Sequence, residues 1–246
     1  MSATPGPLQA SCHPSLQGHG SPTRTAGLIF DMDGTMIDSM AFHGQSWIAF
    51  AQRHGIEIEV QELLRRTTGR TGAECMELLF GRPMDSAECW RLVHEKEEIY
   101  RELFAPVFRE VSGFCEFSAR AMGRGLRVGV GTAGDKHNIA FAFSRLLMDP
   151  PPHAVVGGDE GLPGKPEPAI FLEAARRIGV APAECIVFED APLGIEAARR
   201  AGMRAVAICS SHAAHELTGP HVLACVQNYH ELIAANFLET LHAQPE

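Results

Sequence analysis

The chain has 246 residues, 45% apolar and 21% charged, and a net charge of −9, which works against nucleic acid or an anionic membrane as partner because both require basic protein. No stretch approaches the ~18 consecutive apolar residues of a membrane-spanning helix, and the length allows one α/β core plus a smaller accessory domain. Seven scattered cysteines with no C-x-x-C pair fit neither a disulfide framework nor a zinc site, which points to a reducing cytoplasmic setting.

Residues 1–25 are rich in Pro, Gly, Ser and Thr and hold no acid and one arginine, Arg24. They read as a disordered tail, with an organelle transit peptide as the alternative. Gly27-Leu-Ile-Phe-Asp31 is an apolar run ending in an acid, so a buried strand leading into a tight loop at Gly34 is expected. Asp38 or Ser39 can cap a helix to about His54, with Gly55 as its stop. Residues 57–110 are helical in character and show no convincing strand. Strands follow at Leu126–Val130, Ala154–Val156, Ile186–Glu189 and Ala205–Ile208. Between them, helices are expected from Asp135 onward, over Glu167–Ile178 and over Leu193–Ala201. That alternation predicts a doubly wound α/β fold, a parallel sheet covered on both faces.

Four segments leave polar residues at strand ends or helix starts, the rim where open α/β sheets bind ligands. In Asp31-Met-Asp33-Gly34-Thr35, one carboxylate can attack phosphorus while the other serves the leaving group as acid and water as base. The alternative is an Asp-Gly turn with solvated acids. Gly131-Thr132-Ala133-Gly134 offers a hydroxyl and free N–H groups to phosphoryl oxygens, or is a plain loop before a helix capped by Asp135. Gly129, Gly131 and Gly134 also spell the dinucleotide fingerprint, but no clean strand ends in an acid some 20 residues on. Lys165, in Gly-Lys-Pro-Glu-Pro, can meet phosphate charge at a helix start or lie on the surface. With only three lysines in the chain (Lys96, Lys136, Lys165), its place in a motif is informative. Glu189-Asp190 suits hard Mg²⁺, or Asp190 is a helix N-cap.

As a set, D31-M-D33-G-T, T132, K165 in G-K-P-E-P and E189-D190 resemble the four motifs of the haloacid dehalogenase superfamily, over residues 27–209. The resemblance implies Asp31 as nucleophile, Asp33 as acid/base, and Thr132, Ala133 and Lys165 around the phosphoryl group. It also implies Mg²⁺ on Asp31, the Asp33 backbone carbonyl and Asp190, with Glu189 close by. Residues 43–110 resemble the small helical cap of the β-phosphoglucomutase and phosphoglycolate phosphatase branch, which leaves 26–42 and 111–246 as the Rossmann-like core.

In that branch the mutase carries a Lys and an Arg in a cap loop aligned with Thr67–Thr71. The loop here has no lysine and a displaced arginine, which favours a hydrolase. Arg70 is the candidate cap residue to meet substrate. His43 sits where the mutase has a histidine positioning the second Asp, although His43, Trp47, Phe50 and His54 share one helical face and a packed or hinge histidine fits equally. The expectation is a Mg²⁺-dependent phosphatase of a small phosphorylated metabolite, a sugar phosphate or phosphoglycolate-like compound, acting as a monomer or homodimer. A phosphomutase and a catalytically silent binding module are the alternatives.

Overall fold

The computed structural model describes residues 24–68 and 70–241. The tail expected over 1–25 therefore lies outside the described residues except for Arg24 and Thr25, as does Gly69. Six strands form one parallel sheet in the order β3-β2-β1-β4-β5-β6. They are β1 (Gly27–Phe30), β2 (Arg127–Gly131), β3 (Ala154–Val156), β4 (Cys185–Glu189), β5 (Arg204–Ile208) and β6 (Val222–Val226). Central β1 is buried at every residue, as a strand covered on both faces must be.

Alternation along the strands divides the core. Leu28, Phe30, Val128, Val130, Ile186, Phe188, Val206 and Ile208 face one side. There they meet α5 (Phe114–Gly123) and α9 (Tyr229–Ala234). Ile29, Val187, Ala205 and Ala207 face α7 (Ala169–Ile178) and α8 (Pro192–Arg200) on the other. The sequence pattern did not reveal α5, α9 or β6. Strand β6 is only half-buried, so its apolar run is short of the fully buried kind.

Four helices are inserted between β1 and β2: α1 (Met40–His54), α2 (Val60–Thr67), α3 (Gly72–Phe80) and α4 (Ser86–Phe104). They enclose their own cluster of Trp47, Phe50, Cys75, Met76, Cys89, Leu92, Val93 and Ile99. Helix α1 ends as expected at left-handed Gly55. At its start Ser39 holds the N-cap position, but its hydroxyl turns to Asp33 instead of the helix N–H groups. Helix α7 begins at Ala169, two residues later than expected, because Pro168 biases Glu167 away from helical backbone.

Register carries the motifs to one edge. Phe30 pairs with Val130 on one side and Phe188 on the other. Asp31, Gly131-Thr132 and Glu189-Asp190 therefore leave the sheet side by side. Phe30 anchors this alignment, stacked on Phe188 at 4.6 Å between centroids and edge-on to Phe114 at 5.2 Å. Phe30→Ala should lower unfolding free energy by about 3–5 kcal/mol, the cost of a large core cavity, read from urea midpoints. A loss under about 1 kcal/mol would show that this aromatic cluster does not hold the centre of the sheet.

Candidate active site

The loop after β1 closes on itself. The Met32 carbonyl accepts from the N–H groups of Thr35, Met36 and Ile37, while Gly34 N–H donates to Ile37 O. Gly34 has φ +74°, and a Cβ there would overlap the Asp190 carboxylate, so glycine is required on both counts. A second close approach lies in α8, where a Cβ on Gly194 would overlap the Glu189 carboxylate.

These approaches bring four motif side chains together. Lys165 Nζ, 2% exposed as a residue, donates to Asp31 Oδ1 and to Glu189 Oε1, each at 2.5 Å. The other Glu189 oxygen accepts from Ala191 N–H at 2.9 Å, so both oxygens are engaged by the protein. Asp190 accepts from the Ser211 hydroxyl, with Thr35 Oγ1 at 3.5 Å from its other oxygen. It does not cap α8, whose N-cap position is Ala191. Lys165 stands four residues ahead of α7 with its ammonium between carboxylates, a stronger partner than a helix terminus. Thr132 is buried, its Oγ1 accepting from Gly134 N–H at 3.0 Å, and Asp135 caps helix α6 (Lys136–Phe143).

Asp33 faces a different set of groups. Its Oδ1 accepts from Ser39 Oγ at 2.7 Å and Tyr100 Oη at 3.2 Å, and lies 3.1 Å from His43 Nε2. The His43 ring stacks on Tyr100 at 3.9 Å, and its Nδ1 is 2.8 Å from Lys96 Nζ. Lys96 also bonds Glu97 at 2.9 Å, and Glu97 accepts from Asn138 Nδ2 at 2.7 Å. Arg101 donates to Asn138 Oδ1 at 2.8 Å, so α4 grips α6 through one amide.

Composition of the loop gave no sign of Lys96, Tyr100 or Ser39. Helical spacing is the signal that could find them, since Ser39 and His43, like Lys96 and Tyr100, are four apart and share a face. Arg70 lines the same chamber, near its rim, and donates to the Arg66 carbonyl at 3.0 Å.

The two aspartates titrate in opposite directions. Burial pushes Asp31 up to about 8 despite the attraction of Lys165. Burial likewise holds Asp190 well above the usual carboxylate range, with Glu189 and Asp31 adding to it. At Asp33 burial works the same way but loses to the charge and hydrogen bond of His43, with help from Ser39, and its carboxyl falls to about 2. Burial alone would lower Lys165, but Asp31 and Glu189 outweigh it and keep it protonated.

Asp31, Glu189 and Asp190 thus share a buried space with one ammonium, a deficit of positive charge that a divalent cation suits. Among the described residues no group of three or more His, Cys, Asp or Glu side chains has metal-site geometry. Mg²⁺ does not demand one, because it takes one or two carboxylates and keeps several waters. With both Glu189 oxygens engaged, the candidate donors are the Asp31 and Asp190 carboxylates and the Asp33 carbonyl. No helix among the described residues is long and apolar enough to cross a membrane.

Comparison with known proteins matches residues 25–202 to the family described as haloacid dehalogenase-like hydrolase. The chain is 33% identical over 189 residues to fructose-1-phosphate phosphatase YqaB of Escherichia coli, covering 74% of this chain and 96% of that one. It is 31% identical over 188 residues to a β-phosphoglucomutase of Bacillus subtilis, covering 74% and 82%. A solved hydrolase of Pseudomonas syringae superposes with a TM-score of 0.76 at 25% identity, over 88% of this chain and 99% of the other.

The raised Asp31 makes a stability prediction. Its folded value, about 8, lies above 3.8, so the metal-free folded state binds more protons than the unfolded chain between those limits. The stability it contributes is present below pH 4 and is lost as pH climbs toward 8. Asp31→Asn should therefore melt higher than wild type in EDTA, by a margin that grows from pH 5 to pH 8. An equal or lower melting temperature at pH 8 would show that Lys165 fully compensates the buried carboxylate.

Proposed function

The chain belongs to the haloacid dehalogenase-like hydrolases, in the branch that includes β-phosphoglucomutases and sugar phosphatases, and on that premise we propose that it is a Mg²⁺-dependent phosphatase of small phosphorylated carbohydrates. The observation that carries this reading is the split between the two aspartates. Asp31 is gripped by the buried ammonium of Lys165, and Asp33, two residues on, is addressed by His43, Ser39 and Tyr100. Lys165, together with a bound cation, would keep Asp31 ionised for attack against the burial that raises it in the metal-free site.

In this mechanism an Asp31 carboxylate oxygen attacks phosphorus, and the bond from phosphorus to the ester oxygen breaks. Asp33 protonates the departing oxygen, then removes a proton from the water that attacks the aspartyl phosphate, which frees phosphate and restores the Asp31 carboxylate. Asp33 must first gain a proton, and a phosphoryl dianion entering beside it raises its proton affinity by like-charge repulsion. Lys165, Thr132 and the backbone N–H groups around Ala133 hold the phosphoryl oxygens. When bound, Mg²⁺ would lie on the Asp31 and Asp190 carboxylates and the Asp33 carbonyl and supply positive charge to those same oxygens.

Residues 43–110 are assigned as the cap, since the insert has its own apolar cluster and carries His43 and Lys96 into the pocket. Arg70 is assigned to the substrate side of that cap. The relatives named for phosphatases of sugar and hexitol phosphates support the carbohydrate class.

Lys96 also bears on the mutase alternative. The sequence argument against a mutase was the missing cap-loop lysine, yet the chamber receives a lysine from α4. Assay separates the two activities where loop composition does not. Phosphate release from a panel of sugar phosphates should require Mg²⁺, stop in EDTA, vanish in Asp31→Asn and fall on the order of 10²–10³-fold in Lys165→Ala. Interconversion of glucose 1- and 6-phosphates without phosphate release would replace the phosphatase with the mutase. Silence in both assays would leave a binding module.

A further inference from the structure

The cleft has two adjoining chambers that differ in their cations. The inner one, about 100 Å³, is lined by the acids Asp31, Asp33, Glu97, Glu189 and Asp190 and by all the lysine and arginine of the cleft: Lys165, Lys96 and Arg70. The outer one, about 490 Å³, shares Gly72, Val93, Glu97, Ala133, Gly134 and Asn138 with the inner as walls, so the two adjoin. Its lining holds Glu74, Glu97, Asp135 and Asp159 and no lysine, arginine or histidine. The insert contributes Glu74 and Glu97 and the core contributes Asp135 and Asp159. Glu74 reaches across to the core, where a Cβ on Gly164 would overlap its carboxylate. Trp90 of α4 lines the same chamber and is 49% exposed, a large apolar face with no packing role inside the insert.

A chamber of this size suits a small ligand. Its carboxylates can accept hydrogen bonds from hydroxyls and repel a second anion, and an indole face suits the C–H side of a carbohydrate. We propose that the outer chamber is the leaving-group subsite. It selects an uncharged polyhydroxylated alcohol, with Trp90 as platform and Asp159 as the charge that rejects a second phosphate or a carboxylate. The inference rests on the phosphatase reading and sharpens it, because it disfavours phosphoglycolate-like and bisphosphate substrates.

The test compares kcat/KM for glucose 6-phosphate and glucose 1,6-bisphosphate, with p-nitrophenyl phosphate as a substrate whose leaving group needs no hydroxyl recognition. Wild type should prefer the monophosphate by about tenfold or more, and Asp159→Lys should narrow that ratio by about tenfold through the reversed local charge. Trp90→Ala should raise KM for glucose 6-phosphate. Turnover of p-nitrophenyl phosphate without the monophosphate preference, or a preference untouched by Asp159→Lys, overturns the inference and leaves the phosphatase standing. No turnover of any of the three substrates overturns both.

Discussion

Three carboxylates, Asp31, Glu189 and Asp190, are buried at one edge of the sheet around a single ammonium, that of Lys165. Unpaired charge in such a place is costly, and one lysine cannot balance three acids. The surrounding structure is arranged to hold that imbalance. β1 and β4 run in register so that their terminal acids emerge together, Gly34 and Gly194 make room for carboxylates where any side chain would collide, and Ser211 and Ala191 supply further donors. The pocket lacks positive charge, which a divalent cation would supply.

The second aspartate shows how the insert takes part. Asp33 sits two residues from Asp31, yet its partners come from α1 and α4 by way of His43, Ser39 and Tyr100. Helix α4 in turn holds the core through Glu97 and Arg101 on Asn138. Any movement of the insert that opens the Glu97–Asn138 contact also shifts the groups that set the proton affinity of Asp33. On the proposed mechanism, closing the cleft and setting the proton affinity of Asp33 would be one event.

The fold was legible because parallel strands buried on both faces write themselves as short apolar runs, and because the acids and Thr132 fall just beyond those runs while Lys165 stands just ahead of a helix. What escaped has physical causes. β6 lies at the sheet edge, where burial is partial, and α9 has only six residues, too few for a clear period. Ser39 looked like a helix cap because a hydroxyl before a helix has two available partners, and only the tertiary position of Asp33 decides between them. Lys96 is not legible from the loop aligned by resemblance, because its ammonium arrives from a helix some 25 residues later. His43 reads equally as packing and as chemistry, and its ring is both stacked on Tyr100 and 3.1 Å from Asp33.

The central claim is that Asp31 becomes covalently phosphorylated. Enzyme quenched in acid during turnover of a phosphate monoester, then digested and mapped by mass spectrometry, tests this most directly. The account predicts an acid-stable, hydroxylamine-labile phosphoryl group on the peptide that carries Asp31. Steady turnover with an unmodified peptide, or a phosphoryl group on another residue, would contradict it.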